Sequence, residues 1–367
     1  MRFFSTLFNR IRITKNRCII LILTSVVLFN EWLSYTICAM NWPVPEEVTE
    51  EHVKVLIAAD PQILSTDSEP GFPFNYIAVW DADRFVSRGF QLALWRTRPQ
   101  VVIFLGDVLD DGSTSSDVGF RAKAEHFKNL LRIPDYVERT IYVPGDNDIG
   151  GEGMDQVTPN KVSRFFSAFK QTDVDSFKFL DFVQLRIMDT FGNESQPLPE
   201  DENRMRILLS HMPLLPVTRK AIKKTIVEHH PSLIFSGHEH ESFHFIGKKS
   251  IARADEFWPL RDDDSIWKID TVTEKLHEVT VPTCSYRMGK KSYGYGTAVI
   301  GKSGLVYYNV LWMPSRFLQL WLYVISLTGV FLSTLPSLIP WLKTHVVKLC
   351  EACAVGLISL GPKYHRV

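Results

Sequence analysis

Two long apolar stretches bracket a middle in which short apolar runs alternate with amphipathic ones. The first stretch is apolar from Cys18 to Phe29 apart from Thr24 and Ser25. It then passes Asn30 and Glu31 and resumes from Trp32 to Met40. A membrane-spanning helix needs about twenty mostly apolar residues. This run reaches that length only by carrying Glu31, at a cost of roughly a few kcal/mol or less away from the bilayer centre. The second stretch, Phe317 to Trp341, has no charge, and Pro336 and Pro340 fall near its end, where a helix tolerates them. The pattern predicts spans at 18–40 and 317–341. The first reads either as a retained signal anchor or as a cleaved signal peptide with a small-residue site near Cys38. The basic lead of Arg2, Arg10, Arg12, Lys15 and Arg17 favours the anchor.

Basic residues also follow the second span, as Lys343 and Lys348, whereas Glu46, Glu47, Glu50 and Glu51 follow the first. The charge bias predicts two cytosolic segments, a basic tail at 1–17 and another tail at 342–367. The domain at 42–315 is then luminal or extracellular. Within that domain, β-branched runs predict strands at Lys54–Ala59, Val101–Leu105, Thr140–Val143, Phe182–Met188, Arg206–Leu209 and Leu233–Phe235. Helical patterns between them, Ala82–Arg98 before Pro99 and a helix opened by Thr158-Pro159, give an α/β domain. After residue 240 the pattern becomes antiparallel hairpins.

Composition narrows the class. Forty-one basic residues balance forty-one acidic ones, which argues against a nucleic-acid partner. Five cysteines are too few for a disulfide scaffold, and Cys284 alone lies between the spans, so no disulfide forms within that domain. Cys350 and Cys353 lie beyond the second span; two thiols make no zinc site, which leaves lipidation or no role. Asn193-Glu194-Ser195 is a glycosylation sequon compatible with a luminal face.

The segments at the ends of the predicted strands carry the chemistry. The strands lead into Asp60-Pro61-Gln62, Gly106-Asp107 through Gly112, Gly145-Asp146-Asn147-Asp148, Ser210-His211 and Gly237-His238-Glu239-His240. Side chains past the C-terminal strand ends of an open α/β sheet converge on one crevice. Carboxylates and imidazoles suit divalent cations such as Mn, Fe or Zn. Taken singly, Asp after a strand is an ordinary helix cap or turn residue and His211 an ordinary core histidine; together they predict a two-metal site.

In order, these segments resemble the calcineurin-like metallophosphoesterase signature, and the match runs over about 54–245. Asp60-Pro61-Gln62, Gly106–Gly112, Ser210-His211-Met212-Pro213-Leu214 and Val281-Pro282-Thr283-Cys284-Ser285-Tyr286-Arg287 resemble its metallophosphoesterase 1 branch. That branch includes the post-GPI-attachment phosphodiesterase of animals, and the two flanking spans fit it. The resemblance implies a four-layer αββα sandwich and two divalent ions, with manganese expected. One ion would take Asp60, Gln62, Asp107 and His240. The other would take Asp107, Asp146, His211 and His238, with Asp107 bridging. It also implies removal of an ethanolamine-phosphate side group from the GPI glycan of anchored proteins, at the endoplasmic reticulum or cis-Golgi membrane, in support of transport between them.

The sequence departs from the family pattern at three positions. Gln62 stands where the family has His. Asp146 replaces Asn, which makes the cluster less positive, holds metals more tightly and weakens phosphate attraction. Asn147 takes the place of a catalytic imidazole; it can donate a hydrogen bond but no proton. Asp110, Asp111, Asp148, Glu239 and His244 are nearby acids that could substitute, with solvated turn residues as the ordinary reading. Two other functions stay open: a phosphoesterase acting on another ester, and a metal-binding luminal adaptor for GPI-anchored cargo with weak turnover. Lys363 and His365 resemble a coat-read retrieval signal or an ordinary basic tail, and Asp262-Asp263-Asp264 an exposed acidic loop.

Overall fold

The computed structural model describes residues 15–45, 49–66, 71–186, 199, 201, 203–217, 219–261 and 266–358. Asn193, Asp262–Asp264, Lys363 and His365 lie outside the described residues. The chain divides into two compact units, Tyr35–Ser315 and a second made of Met1–Ser34 with Arg316–Val367.

The central unit holds two sheets. The first contains β1 (His52–Ala58), β2 (Val101–Leu105), β3 (Arg139–Val143), β10 (Trp267–Asp270), β12 (Gly294–Gly301) and β13 (Leu305–Trp312), in the order β10-β13-β12-β1-β2-β3. β1, β2 and β3 are parallel; β12 and β13 extend the sheet antiparallel beside β1. The second contains β4 (Val174–Phe177), β5 (Leu180–Leu185), β6 (Met205–Ser210), β7 (Leu233–Ser236), β8 (Phe243–Lys248), β9 (Arg253–Pro259) and β11 (Lys275–Thr280), in the order β4-β5-β6-β7-β11-β8-β9.

Strand alternation builds the layers. Val101, Ile103 and Leu105 of β2 join Val55, Ile57, Phe235 and Val279 in the core between the sheets. Val102 and Phe104 point the other way, with Leu56 and Ala58, under a helical layer. A strand covered on both faces has no solvent face to mark with polar residues, which is why Val101–Leu105 is wholly apolar. The helical layer is α3 (Phe74–Thr97), α4 (Asp117–Leu130) and α6 (Pro159–Phe169), which bury Phe85, Phe90, Phe120, Phe127 and Phe165. On the far side α7 (Lys220–His229) sets Ile222 and Ile226 against Leu208, Ile234 and Leu276. The result is the expected four-layer αββα sandwich.

Thr158 accepts a hydrogen bond from Lys161 N ahead of Pro159, the cap its sequence predicts. Two helices differ from expectation. α3 starts at Phe74 rather than Ala82, because Phe74, Tyr76, Ile77 and Trp80 are apolar yet exposed and so blur the inward stripe that begins with Asp81 and Ala82. α4 has no counterpart among the predicted elements: it buries only Phe120, Ala124 and Phe127, too sparse a stripe to read.

In the second unit, α1 (Lys15–Leu28) passes through a π-helical turn at Phe29–Leu33, and α8 runs over Arg316–Ile358 with Pro336 and Pro340 inside it. α2 (Ser34–Asn41) continues from the π turn into the central unit. Asn16–Asn41 and Arg316–Pro336 are long and apolar enough to cross a membrane. Glu31, the residue that interrupts the first stretch, is buried, 3.2 Å from Arg316 Nη1, and accepts a 2.6 Å hydrogen bond from the Tyr323 hydroxyl.

Candidate metal centre

The predicted ligands leave different strands and meet at one rim. Asp60 and Gln62 follow β1, Asp107 follows β2, and Asp146 opens the short helix α5 (Asp146–Ile149) after β3. His211 follows β6, and His238 and His240 follow β7. Asp60, Gln62, Asp107, His238 and His240 all have positive φ, between 40° and 68°. Non-glycine residues avoid this region unless the surroundings impose it, and such strain gathers at functional sites. Two glycines make room: a Cβ on Gly106, itself at φ 86°, would strike the His211 imidazole, and one on Gly145 would strike the Asp107 carboxylate.

His211 is fully buried and its Nδ1 lies 2.8 Å from the Leu105 carbonyl, to which it donates. That bond turns Nε2 inward. Nε2 lies 3.0 Å from Asp146 Oδ1, 3.4 Å from Asp107 Oδ1 and 3.3 Å from His238 Nδ1. His238 Nδ1 is in turn 3.2 Å from Asp146 Oδ1. Two groups of donor atoms converge within 4.8 Å of one another: Asp146 with His211 and His238, and Asp60 with Asp107 and His211. His240 Nε2 stands 3.8 Å from Asp60 Oδ1 and 3.5 Å from Gln62 Nε2.

Gln62 donates through Nε2 to Asp107 Oδ2 at 3.1 Å. Its amide therefore lies at the cluster, beside the Asp107 carboxylate. Asn147 enters through its backbone, whose N–H donates to Asp107 Oδ1 at 3.0 Å.

The electrostatics fit cations. Asp60, Asp107 and Asp146 are all buried, and three buried carboxylates are costly unless paired. Asp146 Oδ1 makes no hydrogen bond of its own despite the two imidazole nitrogens beside it. Burial pushes the Asp60 carboxyl up to about 7 against the pull of His211, with Asp107 adding to the rise, and burial raises Asp107 also. Burial opposes protonation of His211, yet Asp107, Asp146 and Asp60 push it well above the usual imidazole range. Asp146 likewise raises His238. Protons on these imidazoles stand where cations would neutralise the same carboxylates. His240 goes the other way, lowered to about 4 by burial and by His211 and His238.

Of the acids weighed as proton donors, Asp111 is engaged by Lys123 at 2.6 Å, His244 is buried 3.0 Å from His277, and Asp148 is fully buried. Asp148 accepts from Val108 N, Leu109 N and Gly145 N at 3.2, 3.1 and 3.0 Å, and so ties the Asp107 loop to the Asp146 loop. Glu239 is exposed.

The sequence reading missed Glu278, a fully buried carboxylate in β11. It accepts from Leu214 N, Leu215 N and the Ser236 hydroxyl at 2.8, 2.6 and 2.8 Å. It thereby braces the segments that carry His211 and His238. In its strand it stands among Lys275, His277 and Thr280, so no apolar run marked it as buried.

A model of the calcineurin-like phosphoesterase family matches residues 53–242. Metallophosphoesterase 1 of Pongo abelii is 30% identical over 203 residues, which is 53% of this chain and 49% of that protein. Metallophosphoesterase 1 homolog of Caenorhabditis elegans is 22% identical over 354 residues, 85% of this chain and 88% of that protein. The chain thus spans about half the length of the first of these and most of the second. Among solved structures, a purple acid phosphatase from yellow lupin seeds is similar at a TM-score of 0.46 and 10% identity, covering 74% of this chain and 53% of that one.

Proposed function

This chain belongs to the calcineurin-like phosphoesterase family, and from that premise we propose that it is a membrane-bound, metal-dependent phosphodiesterase. The observation that carries the reading is the convergence of Asp146, His211 and His238, and of Asp60, Asp107 and His211, on one rim. Asp60, Gln62, Asp107, Asp146, His211, His238 and His240 would hold two divalent cations; carboxylate and imidazole donors suit Mn, Fe or Zn, and the family resemblance favours manganese. Such cations, when bound, polarise phosphoryl oxygens and lower the pKa of water at neutral pH.

The chain's own residues do the rest. Asp107 belongs to the second donor group and is held by Asn147 N and Gln62 Nε2, while His211 is common to both groups. Leu105 fixes the tautomer of His211. The Asn147 side chain can stabilise phosphoryl charge with an N–H but cannot protonate a leaving alkoxide. The leaving oxygen therefore takes its proton from water or from an exposed acid, of which Glu239 is nearest in sequence. No Ser or Cys nucleophile is required.

The substrate we favour is the ethanolamine-phosphate side group of a GPI anchor, removed at the endoplasmic reticulum or cis-Golgi membrane. The metallophosphoesterase 1 relatives and the two candidate spans support it. The test is diester hydrolysis by the purified full chain with added manganese, set beside Asp107→Ala, together with mass spectrometry of GPI glycans after gene loss. Metal-dependent turnover abolished by Asp107→Ala and retained ethanolamine-phosphate in the deficient cells are expected. Turnover with unchanged glycans would leave a phosphoesterase of another ester. Asn147 favours a second reading, a metal-binding adaptor for GPI-anchored cargo, which would bind manganese and show no rate above Asp107→Ala.

A further inference from the structure

Asp60, Gln62, Asp107 and Asp146 follow strands at one end of the first sheet, and both connections to the candidate spans leave from that same end. β13 runs parallel to β1, since each is antiparallel to β12. Its last residue, Trp312, pairs with Gly294, beyond the Ile57–Gly296 pair and level with the strand ends that lead to Asp60. Only Met313, Pro314 and Ser315 separate Trp312 from Arg316, the first residue of the second candidate span, a reach of at most ~14 Å.

The N-terminal connection agrees. Trp42 Nε1 donates to the Trp312 carbonyl at 2.7 Å. From there the chain runs forward to the opposite end of the sheet, past Asn309 at Pro43 and Ser303 at Glu50. Traced backward, it runs along α3 from Arg96, which donates to Trp42 O, to Phe85 and Arg88, which pack on the Tyr35 ring.

α3 continues in that backward direction past the strand ends. Val86 O accepts from Tyr295, opposite Ala58, so Phe74 lies roughly 18 Å further along the helix. This projecting half, with Phe72 (82%) just before it, carries an exposed apolar group: Phe74 (68%), Tyr76 (60%), Ile77 (57%) and Trp80 (59%). One turn on, Arg84 stacks over Trp80 at 5.0 Å. Apolar and aromatic side chains followed by a guanidinium group reproduce the order of acyl boundary, interfacial belt and lipid phosphate.

We infer that the metal-binding end of the central unit faces the lipid bilayer, with the N-terminal half of α3 as its contact surface. The inference rests on the membrane-bound reading above. It deepens that reading by making a lipid-anchored phosphodiester, presented at the headgroup level, the substrate class the rim can reach.

The test uses the full chain in phosphatidylcholine vesicles doped with an alkyne-tagged phosphatidylcholine, with the photocrosslinker p-benzoylphenylalanine placed singly at Tyr76, Trp80, Val272 or Ile325. Val272 is an exposed residue beside the Gly304 turn at the opposite end of the sheet, and Ile325 lies within the second candidate span. Lipid adducts at Tyr76 and Trp80 several-fold above Val272 are expected, approaching the yield at Ile325. Yields at Tyr76 and Trp80 equal to Val272, with Ile325 labelled, overturn the inference and leave the membrane reading standing. Absence of label at Ile325 as well sinks the membrane reading and the inference with it.

Discussion

Asparagine at position 147 has the most direct chemical consequence of any residue in the centre. Its backbone helps hold Asp107, and the structure keeps that role whatever the side chain. The side chain decides whether a proton can be delivered, and general acid catalysis is worth about 10²–10⁴-fold when the leaving group is poor. Asn147→His is therefore expected to raise kcat for an alkyl phosphodiester by about 10² or more, and to change the rate for a p-nitrophenyl diester, whose leaving group needs no proton, by far less. Steady-state kinetics on the two esters in parallel checks this; equal acceleration of both would mean that position 147 does not address the leaving oxygen. Most of the centre was legible because each ligand follows a strand that reads clearly, and the chemistry of Asp and His is local. The contacts of the Gln62 amide were not legible, since they are made with Asp107 and His240, which are distant in sequence.

At the scale of elements, the loops that bear the ligands are held by buried groups that take no direct part. Glu278 on β11 accepts three hydrogen bonds from the loop after β6 and the end of β7. Glu278→Ala strands two backbone donors and a hydroxyl in the core. Stability should fall by about 3 kcal/mol or more, measured by chemical denaturation, with weaker manganese binding in calorimetry of the fraction that remains folded. β8 and β11 carry a second buried pair, His244 Nε2 against His277 Nδ1 at 3.0 Å. Burial lowers both imidazoles to about 4, each with neighbouring positive charge adding to the effect. Between pH 6.5 and 4 the unfolded chain therefore binds protons that the folded chain refuses, so stability present above pH 6.5 is lost as the pH falls through that window. Denaturation midpoints should drop between pH 7 and 5, and His277→Phe should make that drop shallower; an unchanged slope would assign it to other groups. These braces escaped the sequence because a buried Glu or His looks like its solvated counterpart until the strands are paired. The early start of α3 escaped for the opposite reason: its first turns are apolar without being core.

At the scale of the molecule, the long apolar helices pose a problem that the central unit does not. Helices in lipid gain nothing from burying apolar surface against one another, so close packing and polar contacts must hold them together. The second unit supplies a polar cluster. Arg316 Nη1 donates to Glu31 at 3.2 Å and to Gln319 at 2.8 Å. Gln319 Nε2 donates to Ser34, and Asn30 donates to the Gln319 carbonyl, both at 2.8 Å. The Glu31 that made the first stretch look marginal as a span is thus the acceptor for a cation and for Tyr323. Removing one partner of a buried pair costs more than removing both, because the survivor keeps its desolvation penalty. Glu31→Ala should destabilise the pairing of these helices by about 3 kcal/mol, and Arg316→Leu alone should do the same by stranding Glu31. The double variant should recover part of that loss. Unfolding of the full chain in mixed micelles, followed by a fluorophore pair on α1 and α8, gives the three free energies of the cycle. Strictly additive losses would show that Glu31 and Arg316 act independently. A less than additive double loss would make the acid at position 31 a fastener between two spans, and its cost in the apolar run the condition of their pairing.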